Sequence, residues 1–135
     1  MSSSPSFVSA PKTPAVQIVN ADGTNYKTLM TAGASGSRVD LGSIVNSDAA
    51  NSYVLKVAIK IGSTDYPLGE VLVPAGAGSN GSTKAVSLLN TTDLPQFYNS
   101  DGVLFLQASA ELRVGAKTTV SGANTLTVTA QGGDY

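Results

Sequence analysis

The side chains able to do acid–base or metal chemistry in this sequence are nearly all carboxyls. Glu70 and Glu111 join Asp22, Asp48, Asp65, Asp93 and Asp101, and each of these aspartates stands in a stretch of turn formers. Hard cations favour such oxygen groups. The spacing is not that of a calcium loop, however, and aspartate in a turn is the ordinary result of its carboxylate accepting neighbouring backbone N–H bonds. Glycoside hydrolysis needs two carboxyls at a set separation across a cleft, and no spacing argues for that. The sequence has 0 His and 0 Cys. That removes the commonest general base, the thiol nucleophile and the thiolate metal ligand, and leaves the many serines without an activator. A Ser–Lys pair has no signature spacing here. The expectation is a non-enzymatic chain with no cofactor and no metal.

A glycine motif tests that expectation. Gly76-Ala-Gly78-Ser-Asn-Gly81 matches G-x-G-x-x-G, follows an apparent strand, and has Asp101 downstream in the position of a ribose-binding acid. Dinucleotide binding also requires a helix N-terminus aimed at the pyrophosphate within a βαβ unit. Thr83 to Leu89 shows no sustained helical period, so the motif reads as a loop. Gly33-Ala-Ser-Gly36 lacks the G-K-[ST] ending of a phosphate loop.

The remaining chemistry is weaker still. The formal net charge is −1, and 13% of residues are charged. Lys and Arg are scattered singly, which gives no basic footprint for nucleic acid. No apolar run approaches the roughly 20 residues of a membrane helix. The first residues lack the basic and apolar regions of a secretory signal, so the sequons at Asn80 and Asn90 read as chance matches. Tyr26, Tyr53, Tyr66 and Tyr98 read as strand tyrosines, with ring buried and hydroxyl wet.

The elements that must position these residues are short and β-like. The clearest is Tyr53–Ile61, where Tyr53, Leu55, Val57, Ile59 and Ile61 share one face and Lys56 and Lys60 the other. A helix would mix those sets. Val39 and Leu41 alternate likewise against Arg38 and Asp40. Further runs are expected at 15–19, 25–31, 66–73, 83–89, 111–114, 117–120 and 125–130. Pro67 suits an edge or a strand start. Val103–Gln107 opens fully apolar, as a strand buried on both faces would. Residues 90–98 have room for one helical turn. Some eight to ten strands with no amphipathic helix predict an all-β domain, a β-sandwich or jelly-roll-like unit, over residues 15–135.

Residues 1–14 differ in composition, with three prolines and several serines. They predict an extended N-terminal arm that forms neither helix nor sheet ladder. Either it stays unstructured, or it orders on a partner with Phe7 and Val8 as apolar anchors.

Three segments carry a resemblance. Thr31-Ala-Gly-Ala-Ser-Gly-Ser-Arg-Val39 opens the domain, Leu68-Gly-Glu-Val-Leu-Val-Pro-Ala-Gly-Ala-Gly78 lies mid-chain, and Gln131-Gly-Gly-Asp-Tyr135 closes it. Together they resemble a family of small tailed-phage virion proteins that end in Gly-Gly-Asp-Tyr. The resemblance implies a capsid decoration or cement role on the exterior of a virion assembled in the host cytoplasm. The major capsid protein would be its partner, and it would form a dimer or trimer. The alternative is a receptor- or glycan-binding tail or head-fibre module. The resemblance brings no catalytic residue. The candidate partner-binding residues are Phe7, Val8, Gly132, Gly133, Asp134 and Tyr135: the glycines permit close backbone approach, and Tyr135 offers a ring and a carboxylate. The same ending also suits a strand that closes the domain's own sheet.

Overall fold

The computed structural model describes residues 8–90, 92–95 and 103–135. Among the described residues, ten strands and a 3-10 turn, Asn20–Asp22, make up most of the regular structure. The strands are β1 (Ala10–Lys12), β2 (Ala15–Ile18), β3 (Lys27–Thr31), β4 (Ser37–Asn46), β5 (Tyr53–Ile61), β6 (Thr64–Val73), β7 (Val86–Ser87), β8 (Leu104–Leu106), β9 (Glu111–Ala116) and β10 (Leu126–Asp134). All pairings are antiparallel, and the fold is the expected all-β sandwich.

One sheet runs β1-β10-β4-β7, with β2 also on β10 and β8 also on β4; the other runs β3-β9-β5-β6. β1 and β2 pair successive stretches of β10 in one register, so they are a single edge strand interrupted at Thr13 and Pro14. β7 and β8 likewise share the far edge of β4. Each sheet is therefore four strands wide. Counting each shared edge once, the orders are 1-8-3-6 and 2-7-4-5, the jelly-roll arrangement.

The core lies between the sheets. Ile18, Val39, Ile44, Leu126 and Val128 point inward from one, Leu55, Val57, Val71, Leu112 and Val114 from the other, and all are fully buried. Each contributes about 1.5–3 kcal/mol by leaving water. In β5 the expected face holds for Tyr53, Leu55, Val57 and Ile59, the last half-buried against the core. Opposite Val57 and Ala58 the β6 register slips by one residue. There Ala58 is also buried, and the end of the strand at Ile61 is exposed. Pro67 sits in β6, an edge strand, as its missing N–H requires.

Several expectations are corrected. Pro11 does not keep the arm out of the sheet. Ala10, Pro11 and Lys12 pair with Asp134, Gly133 and Gly132, because an edge strand leaves one side without ladder bonds and tolerates proline there. Val39 and Leu41 do not share a face. Gln131 pairs with Leu41 but Gly132 with Val39, so Asp40 is an extra residue in β4. The bulge reverses the alternation and turns Leu41 outward, 62% exposed. β8 is buried on one face only, with Leu104 and Leu106 inward and Phe105 outward. Residues 117–120 are not a strand, and the run at 83–89 contributes only Val86 and Ser87. Over 90–98 the Leu94 N–H donates to the Asn90 carbonyl at 3.0 Å and closes one turn, while residues 91 and 96–98 lie outside the described residues, as do Phe7 and Asp101.

Candidate functional site

The three buried polar residues among those described, Ser37, Asn46 and Asp48, mark the two ends of the sandwich. Ser37 starts β4 and lies opposite Asp134; Asn46 ends β4 and lies opposite Leu126. A polar cluster closes the fold at each end, and both candidate regions of the sequence fall on these clusters.

The first cluster is built from the C-terminal motif. Gly132 and Gly133 lie inside β10, between β1 and β4. A Cβ on Gly132 would overlap the Arg38 carbonyl oxygen, and one on Gly133 would overlap Val8. Their missing side chains are what let three strands meet at the Asp40 bulge. Asp134 then accepts a short hydrogen bond from the Ser37 hydroxyl and one at 3.3 Å from the Gly33 N–H. It also pairs with Lys12 Nζ at 2.9 Å. The Ser37 hydroxyl and the Lys12 ammonium hold the Asp134 carboxyl below the usual range, in that order of effect. The Tyr135 N–H donates to the Gly36 carbonyl at 3.2 Å, and the Ser9 N–H to the Asp134 carbonyl at 2.9 Å. Val8, Gly132, Gly133, Asp134 and Tyr135 are thus gathered in one clasp made within the chain, while Phe7 lies outside the described residues.

The second cluster centres on Asp48. Its carboxylate accepts bonds from the Tyr53 hydroxyl (2.7 Å), the Ser121 hydroxyl (2.9 Å), Asn51 Nδ2 (3.0 Å) and the N–H groups of Ala50 (2.9 Å) and Asn51 (3.0 Å). These donors, Asn51 first, drive its pKa far below the usual carboxylate range. Asn46 beside it donates to the Asn51 and Pro74 carbonyls, and the Ser79 hydroxyl donates to the Asn46 carbonyl. The glycine motif at 76–81 is therefore a loop sealing this end of the sandwich, and β7 rather than a helix follows it. Asp22 is likewise engaged by the Val19 N–H and by Lys27, and Asp65 by Arg113.

Between the clasps, the outward face of β10, β4 and β8 carries an ion pair, Arg38–Asp40, among uncharged groups. Thr127, Thr129, Ser43 and Gln131 carry short polar groups, with Ser43 and Thr129 hydroxyls 3.0 Å apart. Leu41 and Phe105 stand out of it, 62% and 61% exposed. A shallow depression of about 270 Å³ beside Leu41 is floored by Gly42, Ser43, Thr129 and Ala130. The Arg38 guanidinium lies over the Phe105 ring at 6.0 Å and pairs with Asp40. The outward face of the other sheet carries Arg113–Asp65 and Lys117–Glu70 pairs, Lys56 4.5 Å over the Tyr26 ring, and an exposed Leu72. Sequence reasoning missed Leu41 and Phe105, because alternation placed the first inward and an apolar run placed the second inside a buried strand. It also passed over Ser37 and Asn46, which look like any strand-end serine and asparagine.

No known family model matches the chain, and no curated protein does. Among solved structures, the chain resembles the Drosophila NLP core, whose crystal structure is described as providing insight into pentamer formation and histone binding. The TM-score is 0.49 and the identity 14%, over 90% of this chain and 94% of that one.

Proposed function

We propose that this chain is a virion structural protein of a tailed phage, a decoration protein that binds the major capsid protein on the outer shell and stabilises contacts between capsomers. One observation carries the reading. Two of the three segments behind the family resemblance, 31–39 and 131–135, converge on a single clasp through Gly33, Ser37 and Asp134. The shared motif is therefore the part of the sequence that builds one end of the fold and its bulge. That bulge turns Leu41 outward on the sheet face that also exposes Phe105, where the charges of Arg38 and Asp40 are paired with each other, which suits docking on another protein. Binding only the assembled lattice stabilises it by mass action.

The test adds purified protein to bare, expanded capsids and measures co-sedimentation and the temperature of DNA release. Co-sedimentation with a raised release temperature supports the proposal; neither effect sinks it. Densitometry of intact virions separates the receptor- or glycan-binding tail reading, which requires far fewer copies per particle than a decorated shell.

A further inference from the structure

The loop between β6 and β7 carries an arrangement that the proposed capsid role does not use. Asn80 is exposed there, and it is the one asparagine of the chain followed by glycine. Its side-chain carbonyl oxygen accepts two backbone N–H bonds, from Ser82 at 2.9 Å and Thr83 at 2.7 Å. Its amide nitrogen donates to Thr83 Oγ1 at 3.2 Å. Gly81 has φ +79°, and a Cβ there would meet nothing within 4 Å. The Gly81 N–H makes no hydrogen bond among the described residues. A free backbone nitrogen thus follows an amide whose oxygen is already polarised by two donors.

We propose that Asn80 is a self-modification site, where the Gly81 nitrogen attacks the Asn80 side-chain carbon to form a succinimide that water opens. Hydroxide removes the Gly81 N–H proton, and the nitrogen lone pair forms the bond to Cγ. The carbonyl π pair moves onto Oδ1, where the Ser82 and Thr83 N–H groups meet the developing oxyanion. Collapse breaks the Cγ–Nδ2 bond, and ammonia leaves with a proton from water. A second water opens the ring at either carbonyl. Opening at Cγ yields aspartate, and opening at the backbone carbonyl yields isoaspartate, with the main chain rerouted through Cγ.

Each event replaces a neutral amide by a carboxylate, one unit more negative than the present −1. The two products differ structurally. Aspartate retains the Ser82 and Thr83 contacts. Isoaspartate adds a methylene to the backbone and pulls them apart, loosening the Thr83 carbonyl that accepts the Gly78 N–H at 2.7 Å. The same loop holds Asn46 through Ala77 and Ser79. The reaction would therefore weaken the Asp48 end of the sandwich progressively with age.

The test incubates the full chain in mildly alkaline buffer at body temperature, with peptide mass mapping and isoaspartate-specific methylation. Conversion at Asn80 is expected to exceed that at any other asparagine by about tenfold, and to run at least as fast in the folded chain as in urea. Conversion spread evenly over the asparagines, or several-fold slower in the folded chain, overturns the proposal. Gly81→Ala should slow the reaction, but its positive φ strains alanine. Asn80→Gln, which cannot close the five-membered ring, serves as the second variant. Circular dichroism checks that it folds, and it should remain unmodified at that position. Ammonia release at the original rate from the folded Asn80→Gln chain also overturns the proposal.

Discussion

The hydroxyl of Ser37 donates a hydrogen bond to the carboxylate of Asp134, 97 residues later in the chain. Ser37 is fully buried, and the bond ties the start of β4 to the end of β10. The same carboxylate holds Lys12, so one acid joins β1, β4 and β10, strands that lie far apart in sequence.

This acid predicts a pH dependence. Asp134 and Asp48 are both held below the usual carboxylate range when folded, whereas in the unfolded chain they titrate near the ordinary value of about 3.9. Above that value both states are ionised and the stabilisation is complete. Below it the unfolded chain binds protons that the folded chain refuses, so stability falls as pH falls, until the folded carboxylates protonate. Urea midpoints should decline steadily from about pH 5 to about pH 2, and a flat profile would contradict the account. In Ser37→Ala, NMR should show the Asp134 carboxyl titrating closer to the ordinary value.

The glycine pair predicts a steric penalty. Gly132→Ala places a methyl group against the Arg38 carbonyl oxygen and forces β10 and β4 apart at the Asp40 bulge. The expected loss is about 1–3 kcal/mol by urea unfolding, the range for overpacking a filled site. Gly122→Ala, in an open turn of the same domain, reports only the cost of its positive φ.

A graded series in β5 tests the face assignment. Val57→Asp buries an unpaired charge at a fully enclosed position and should prevent folding, since that costs several kcal/mol. Ile59→Asp, at a half-buried site packed on the core, should destabilise strongly. Ile61→Asp, 41% exposed beyond the register slip, should leave the denaturation midpoint nearly unchanged. A midpoint for Val57→Asp equal to that of Ile61→Asp would refute the assignment.

The outward face predicts a separation of folding from binding. Leu41→Asp and Phe105→Asp alter exposed side chains and should change stability by no more than about 0.5 kcal/mol. On the proposed reading both lose co-sedimentation with capsids. Full capsid occupancy by the double variant would remove this face from the proposal.

The arm now divides into two deletions with different outcomes. Removing residues 1–13 strips β1 from β10, exposes Gly133 and deletes the Lys12 partner of Asp134, so the melting temperature should fall. Removing residues 1–7 leaves every described contact in place. It should preserve the melting temperature while weakening capsid binding. Equal capsid occupancy by the 1–7 deletion and the intact chain would end the role assigned to Phe7.

The β class was legible because side-chain alternation is local: the chain writes an inward and an outward set at every second residue, as Tyr53, Leu55 and Val57 do. The loop reading of residues 74–82 was legible for the same reason, since no helical period follows it. What alternation cannot encode is which strands become neighbours and where one strand gains a residue on another. The bulge at Asp40 depends on Gly132 lying beside Val39, a pairing of residues 93 positions apart. That single insertion decided that Leu41 faces solvent rather than the core. Likewise, Pro11 has a place in the ladder only because β1 forms an edge, and edges exist only once the sheets are assembled. The Gly132–Tyr135 ending was visible as a motif in the sequence. Its role as the clasp between β1 and β4 was decided by the tertiary structure, because a missing Cβ has meaning only against the backbone that comes to occupy its space.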